Sequence, residues 1–224
     1  MDFDLVRLTD GGPVTFFPPD GFAWFHIDNG PAGGRPIGRL RLSYGGNPGD
    51  NEVMTLVQDG NVGIGTPSPQ ERLDVNGNIR VSGDIVLTGA DCAEEFGCPQ
   101  SLEVDPGTVM VIDNDENLCP SETAYDSRVA GVAAGAGDLK SGIVMDRRDS
   151  RESRIAIALV GKVYCKVDAD HTPIALGDLL TTSNTPGHAM KASDRRKAFG
   201  AIVGKALRPM MSGQGLIPIL VALQ

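Results

Sequence analysis

Long apolar runs are missing from this chain. The longest, Ile155–Val160 and Leu216–Leu223, have the length of a strand and fall far short of the ~20 residues a membrane helix needs. Insertion into a membrane is therefore not expected. Met1-Asp2-Phe3-Asp4 lacks the basic and apolar segments of a secretory leader, so export by the general route is not expected either. Cys92, Cys98, Cys119 and Cys165 include no Cys-x-x-Cys pair and form no zinc template. They read as buried free thiols, with Cys92–Cys98 or Cys98–Cys119 the disulfides open to an oxidising medium.

Recognisable catalytic spacings are absent as well. Ser127 and Ser183 have no His or Asp at a nucleophile elbow. Gly63-x-Gly65 and Gly135-x-Gly137 do not run into Gly-Lys-Ser/Thr, so neither is a phosphate loop. Besides His26, the histidines are His171 and His188, each alone in a turn. They read as surface residues, the alternative being a metal ring on a symmetry axis with one His per chain. No metal and no cofactor is expected.

Charge is scarce on one side. The net charge is −9, with 6 basic against 14 acidic residues in 1–96 and 14 against 15 in 97–224. An acidic first half argues against nucleic acid or an anionic membrane as a general partner. Arg195-Arg196-Lys197 reads as a solvated turn. Aromatics are few, and seven of the eleven lie in the first 44 residues: Phe3, Phe16, Phe17, Phe22, Trp24, Phe25 and Tyr44. Either a small aromatic core or a docking surface for a larger assembly accounts for that clustering.

Glycine and proline are plentiful, at 29 and 15 of 224 residues. Between 59 and 88 they serve a pattern. The triplets Asp59-Gly60-Asn61, Asn76-Gly77-Asn78 and Ser82-Gly83-Asp84 suit tight reversals. Val62/Ile64, Leu73/Val75, Ile79/Val81 and Ile85/Leu87 repeat between them with the period of a strand. Pro67–Leu73 could form a helical turn, with Ser68 as N-cap and Glu71 three residues on. These apolar side chains are too thinly spaced to cover one another within a single chain. Strands of this kind need partners, most simply two more copies around a threefold axis, with Val62, Ile64, Leu73, Val75, Ile79, Val81, Ile85 and Leu87 as the shared core.

The run Asp59-Gly60-Asn61-Val62-Gly63-Ile64-Gly65-Thr66, with Leu73-Asp74-Val75-Asn76-Gly77 downstream, resembles a module of phage tail fibres, tail spikes and related surface proteins. The strand pair Leu40–Gly46 and Val53–Leu56 is similar to the one that leads into that module. The resemblance covers roughly residues 22–88 and implies trimeric, intertwined β-structure.

From about residue 90 the strand-like runs lengthen: Thr108–Asp113, Val129–Ala133, Ile155–Asp168, Asp178–Thr182, Ala198–Ala206 and Leu216–Ala222. Turn-rich intervals between them suit an antiparallel sandwich or barrel that buries its own core. Gly131, Gly161 and Gly204 fall in or beside these strands, where bulges or tight bends are expected.

At the junction, Ala90-Asp91-Cys92-Ala93-Glu94-Glu95-Phe96 and the β-rich remainder resemble a second family. It is the C-terminal intramolecular chaperone of phage appendage proteins, some members of which cut themselves off with paired acids. The resemblance covers roughly 89–223, and Asp91 and Glu94 match the acidic motif, while Cys92 stands where an aromatic residue is common. Two carboxylates at i and i+3 could share a proton when close and desolvated. The plainer reading has them cap or salt-bridge the start of a short helix.

The expected architecture is all-β: an attachment region over 1–30, an intertwined stem of β-prism or β-helix type over 31–89, and a compact trimerisation head over 90–224. The expected function is a non-enzymatic, homotrimeric fibre, spike or decoration protein of a phage or phage-like particle. Its first segment would dock on other particle proteins, and it could present a surface to a host receptor. The alternatives are a self-cleaving chaperone domain using Asp91 and Glu94, and a glycan-binding adhesin head.

Overall fold

The computed structural model describes residues 14–16, 25–28, 39–44, 51–99, 103–113, 117–148 and 153–223, with side chains placed from Leu40 onward. Most of the proposed attachment region, including Phe3, Phe17, Phe22 and Trp24, lies outside the described residues. The described residues are all-β apart from one helical turn, and the chain divides into two compact units, Met1–Ile85 and Val86–Gln224.

The first unit carries a six-stranded sheet in sequential order: β1 (Val14–Phe16), β2 (Phe25–Asp28), β3 (Arg39–Tyr44), β4 (Glu52–Val57), β5 (Val62–Ile64) and β6 (Leu73–Val75). Neighbours pair antiparallel as far as β5, and β6 then lies parallel to β5. A parallel neighbour needs a crossover rather than a hairpin, and residues 65–72 supply it. That requirement overrides the expected helical turn over Pro67–Leu73. The segment is a series of bends in which Thr66 Oγ1 accepts from the Ser68 amide at 3.3 Å and Asp74 Oδ2 from the Gln70 amide at 3.0 Å. Leu73 already belongs to β6, so no turn of helix has a face to bury.

Ile79, Val81, Ile85 and Leu87 also depart from expectation. Their segment is irregular, and among the described residues no strand pairs with 77–89. Nearby backbone within the chain therefore supplies no ladder for them.

The second unit contains β7 (Asp91–Gly97), β8 (Val109–Ile112), β9 (Leu118–Pro120), β10 (Val129–Ala133), β11 (Ser141–Met145), β12 (Arg154–Asp168), β13 (Leu179–Thr182), β14 (Ala189–Lys191), α1 (Arg195–Ala198), β15 (Ile202–Ala206) and β16 (Gln214–Ala222). The 15-residue β12 is its spine. The first half of β12 takes β7 on one side and β10 on the other, and its second half pairs with β16. From β16 the ladder continues through β15 and β13 to β14, and a parallel bridge from Ala189 to Val167 returns it to β12. Five strands thus close into a barrel, which removes free edges along that part of the sheet.

Alternation along the strands fills the barrel. Val163, Cys165 and Val167 of β12 meet Ile217, Ile219 and Val221 of β16, with Leu180 and Val203, all buried. Lys162 and Lys166 point outward between them. Met110, Leu118, Ala133 and Ile157 form a second core, with Phe96 and Ile155 packed against it. Ladder register shifts at Val129/Gly131, at Ala158/Val160 just before Gly161, and opposite Gly204, where the sequence called for bulges. Short strands β7, β9, β11 and β14 are visible only in the structure; each is stabilised by its neighbours rather than by its own pattern.

Candidate functional site: an inverted sheet face and a buried carboxylate

The sheet of the first unit is inside out. Directly opposed residues share a face, so register sorts its side chains into two sets. One set runs Leu40–Leu56–Val62–Leu73 and Leu42–Met54–Ile64–Val75 across β3 to β6. The other runs Arg41–Thr55–Gly63–Asp74. In an ordinary one-sided sheet the first set would be covered and the second wet. Here Arg41 and Thr55 are buried, at 4% and 0% exposure, whereas Leu42 is 41% and Leu73 56% exposed. Arg41 makes a largely buried ion pair with Glu52 at 3.8 Å, and the Thr55 hydroxyl donates to the same carboxylate.

Leu40, Leu42, Tyr44, Met54, Leu56, Ile64 and Leu73 form one continuous open patch. Half-exposed side chains of this size present on the order of 500 Å² of apolar surface, near the upper end for a monomer. Ile79, Val81, Ile85, Val86 and Leu87 are exposed too, Val86 at 88%. Of the expected shared-core residues, Val62, Ile64, Leu73 and Val75 lie together on the open sheet face, with Val62 and Val75 half-buried. Ile79, Val81, Ile85 and Leu87 stand on the unpaired segment. Sequence reading missed Leu40, Leu42, Met54 and Leu56, although their alternation along β3 and β4 was the available signal.

Asp91 and Glu94 lie on β7, a strand and not the start of a helix. An odd spacing along a strand sends the two carboxylates to opposite faces, so they do not form a proton-sharing pair within one chain. The expected helix fails because β7 is held on both sides: it pairs antiparallel with β12 and parallel with β11. Asp91 is the unusual member. It is 6% exposed, and neither carboxylate oxygen makes a hydrogen bond of normal geometry. Burial pushes its carboxyl above the usual range, and the Ser141 side chain, its register partner on β11, works in the opposite direction.

An acid whose native pKa is raised binds its proton more readily folded than unfolded. Stability then declines as pH rises from the unfolded value near 3.9 through the native one, and the full penalty persists above it. Asp91→Asn is accordingly expected to raise stability at pH 7 by about 1 kcal/mol. Its advantage should vanish near pH 3.5. Urea midpoints of both proteins at the two pH values measure this, and an advantage independent of pH would contradict it.

The remaining candidates are dispersed. All four cysteines are free thiols; Cys165 is wholly buried and its pKa is pushed up to about 12 by that burial. Burial also raises the Cys98 and Cys119 thiols. His188 Nδ1 lies 2.7 Å from the Pro186 carbonyl, His171 is exposed, and among the described residues no group of three metal-ligating side chains occurs. Arg195-Arg196-Lys197 is not a turn but α1, capped by Asp194, whose side chain accepts from the Arg196 and Lys197 amides at 2.9 and 3.4 Å.

No family model matches the chain, and no curated protein sequence matches it. Among solved structures, the crystal structure of pre-mature bacteriophage phi29 gene product 12 aligns over 77% of this chain with a TM-score of 0.47 and 12% identity. This chain spans 25% of the length of that one.

Proposed function

We propose that this protein is a structural, non-enzymatic component of a phage or phage-like particle, assembled as a homotrimer through its first unit. The single observation behind this reading is the inverted sheet. Its polar face is sealed by the chain itself and its apolar face is left open, an arrangement that is unfavourable for a solitary subunit and favourable once copies cover one another. Closed cyclic symmetry lets identical patches be used without leaving one over. The second unit, with cores of its own, serves as the head. The resemblance of 22–88 to tail-fibre modules and of 89–223 to appendage chaperone domains supplies the particle context, with host attachment as the outward role.

Light scattering over a thousandfold range of dilution tests the assembly. Three times the subunit mass is expected at micromolar concentration and above, with dissociation on dilution. A folded species of single subunit mass throughout would exclude the reading.

A further inference from the structure

Away from that sheet, the second unit holds a separate apolar hollow. It lies between the outer side of the barrel and α1, has a volume of about 370 Å³, and is lined by Leu179, Ala192, Arg195, Ala198, Phe199 and Ile202. A volume of this order lies in the range of small-molecule sites. Its lining is apolar except for Arg195.

Phe199 is the most exposed large apolar side chain among the described residues, at 92%, yet it belongs to the lining of a formed hollow. It is the C-cap residue of α1, four positions after Arg195, and both side chains line the hollow. That turn is held in place. Asp194 caps it, the Tyr125 hydroxyl accepts from the Asp194 amide at 3.0 Å, and Lys197 lies over the Tyr125 ring at 6.0 Å. The α1 side of the hollow is therefore fixed in position by its cap and by Tyr125.

Its charge is opposite to that of the chain. Arg195 and Arg196 stand on α1, and Lys205 is the direct cross-strand partner of Leu179, which lines the hollow. Among the described residues none of these three cations has an acidic partner at ion-pair distance, whereas neighbouring Lys191 is paired with Asp178 at 2.8 Å. An unpaired arginine in the wall of an apolar hollow, with Lys205 opposite Leu179 on the adjoining strand, matches a ligand with an apolar body and an anionic head.

We propose that this hollow is a binding site for an anionic amphiphile, an alkyl or aryl group carrying one phosphate or carboxylate. The apolar body lies against Leu179, Ile202 and the Phe199 ring, and the head group pairs with Arg195. This assignment does not depend on the oligomeric state.

Calorimetric titration of the full chain with octyl phosphate, kept below micelle-forming concentration, is the test. Saturable binding of one molecule per chain is expected. Octyl glucoside, which keeps the chain and removes the charge, and inorganic phosphate, which does the reverse, should each bind at least about tenfold more weakly. Phe199→Ser and Arg195→Gln should each cost octyl phosphate about tenfold or more, with melting temperature and oligomeric mass unchanged, because both side chains are exposed. Absence of saturable binding, equal binding of octyl glucoside, or undiminished binding by the variants would overturn the proposal. So would loss of assembly in Phe199→Ser, which would make the hollow a contact between copies. Once binding is found, phosphatidylglycerol vesicles separate the source: co-sedimentation assigns a membrane lipid, and its absence a soluble amphiphile.

Discussion

Replacing Leu42 with lysine is expected to leave each subunit folded and to abolish its assembly. In one chain Leu42 is 41% exposed on the apolar side of the sheet, opposite Met54. A lysine there can extend into water, so the isolated subunit should lose less than about 1 kcal/mol. In an assembly that covers this face the ammonium would be buried without a partner, at a cost of about 3 kcal/mol per subunit. Three subunits share that cost, which weakens the trimer equilibrium roughly a millionfold. Sedimentation is expected to show single subunits for the variant and trimers for the parent protein. Leu176→Lys, at a 69% exposed site in the second unit, is the matched control and should assemble normally. If the Leu42 variant sediments with the parent, the open sheet face is not where copies meet.

Gly161→Ala should be among the most destabilising single-methyl changes in the second unit. Gly161 has φ of +110° and lies on β12 where both β7 and β16 pair with it. A Cβ there would stand 2.6 Å from the Ala90 carbonyl oxygen and 2.7 Å from Asp91 Cα. Both are backbone atoms, so no rotamer change relieves the overlap. Strained backbone and forced strand displacement together should cost about 3 kcal/mol or more. Gly135→Ala separates the two effects. Its φ is +95° but the space around it is open, so only the conformational part remains, about 1 kcal/mol. Cys165 is wholly buried in the barrel, so its alkylation as urea rises reports opening of this unit directly. Similar urea midpoints for the two variants would show that close approach at Gly161 is not what matters.

Much of the strand content was legible because apolar alternation and turn residues act locally. Val129–Ala133 matches β10 without adjustment, and the long run from 155 to 168 is β12 with one residue added. Gly131 and Gly204 lie at register shifts and Gly161 lies just beyond one, because a missing Cβ is a local property with a local consequence. Short elements were not legible. β9 and β14 carry too few residues to show a period, and β7 looked like a helix start because its acids at i and i+3 suit a helix as well. Only its place between β11 and β12 decides for the strand.

The candidate sites divide in the same way. From its residues alone this chain is a β-protein with a turn-punctuated, thinly apolar first half, since period and turn chemistry depend on near neighbours. That Leu42 faces outward while Arg41 is buried, that the Asp91 carboxyl is buried between β11 and β12, and that Arg195 and Phe199 border one hollow were decided by tertiary structure. Alternation states that two faces differ, and only the packing of distant segments determines which of them the chain itself covers.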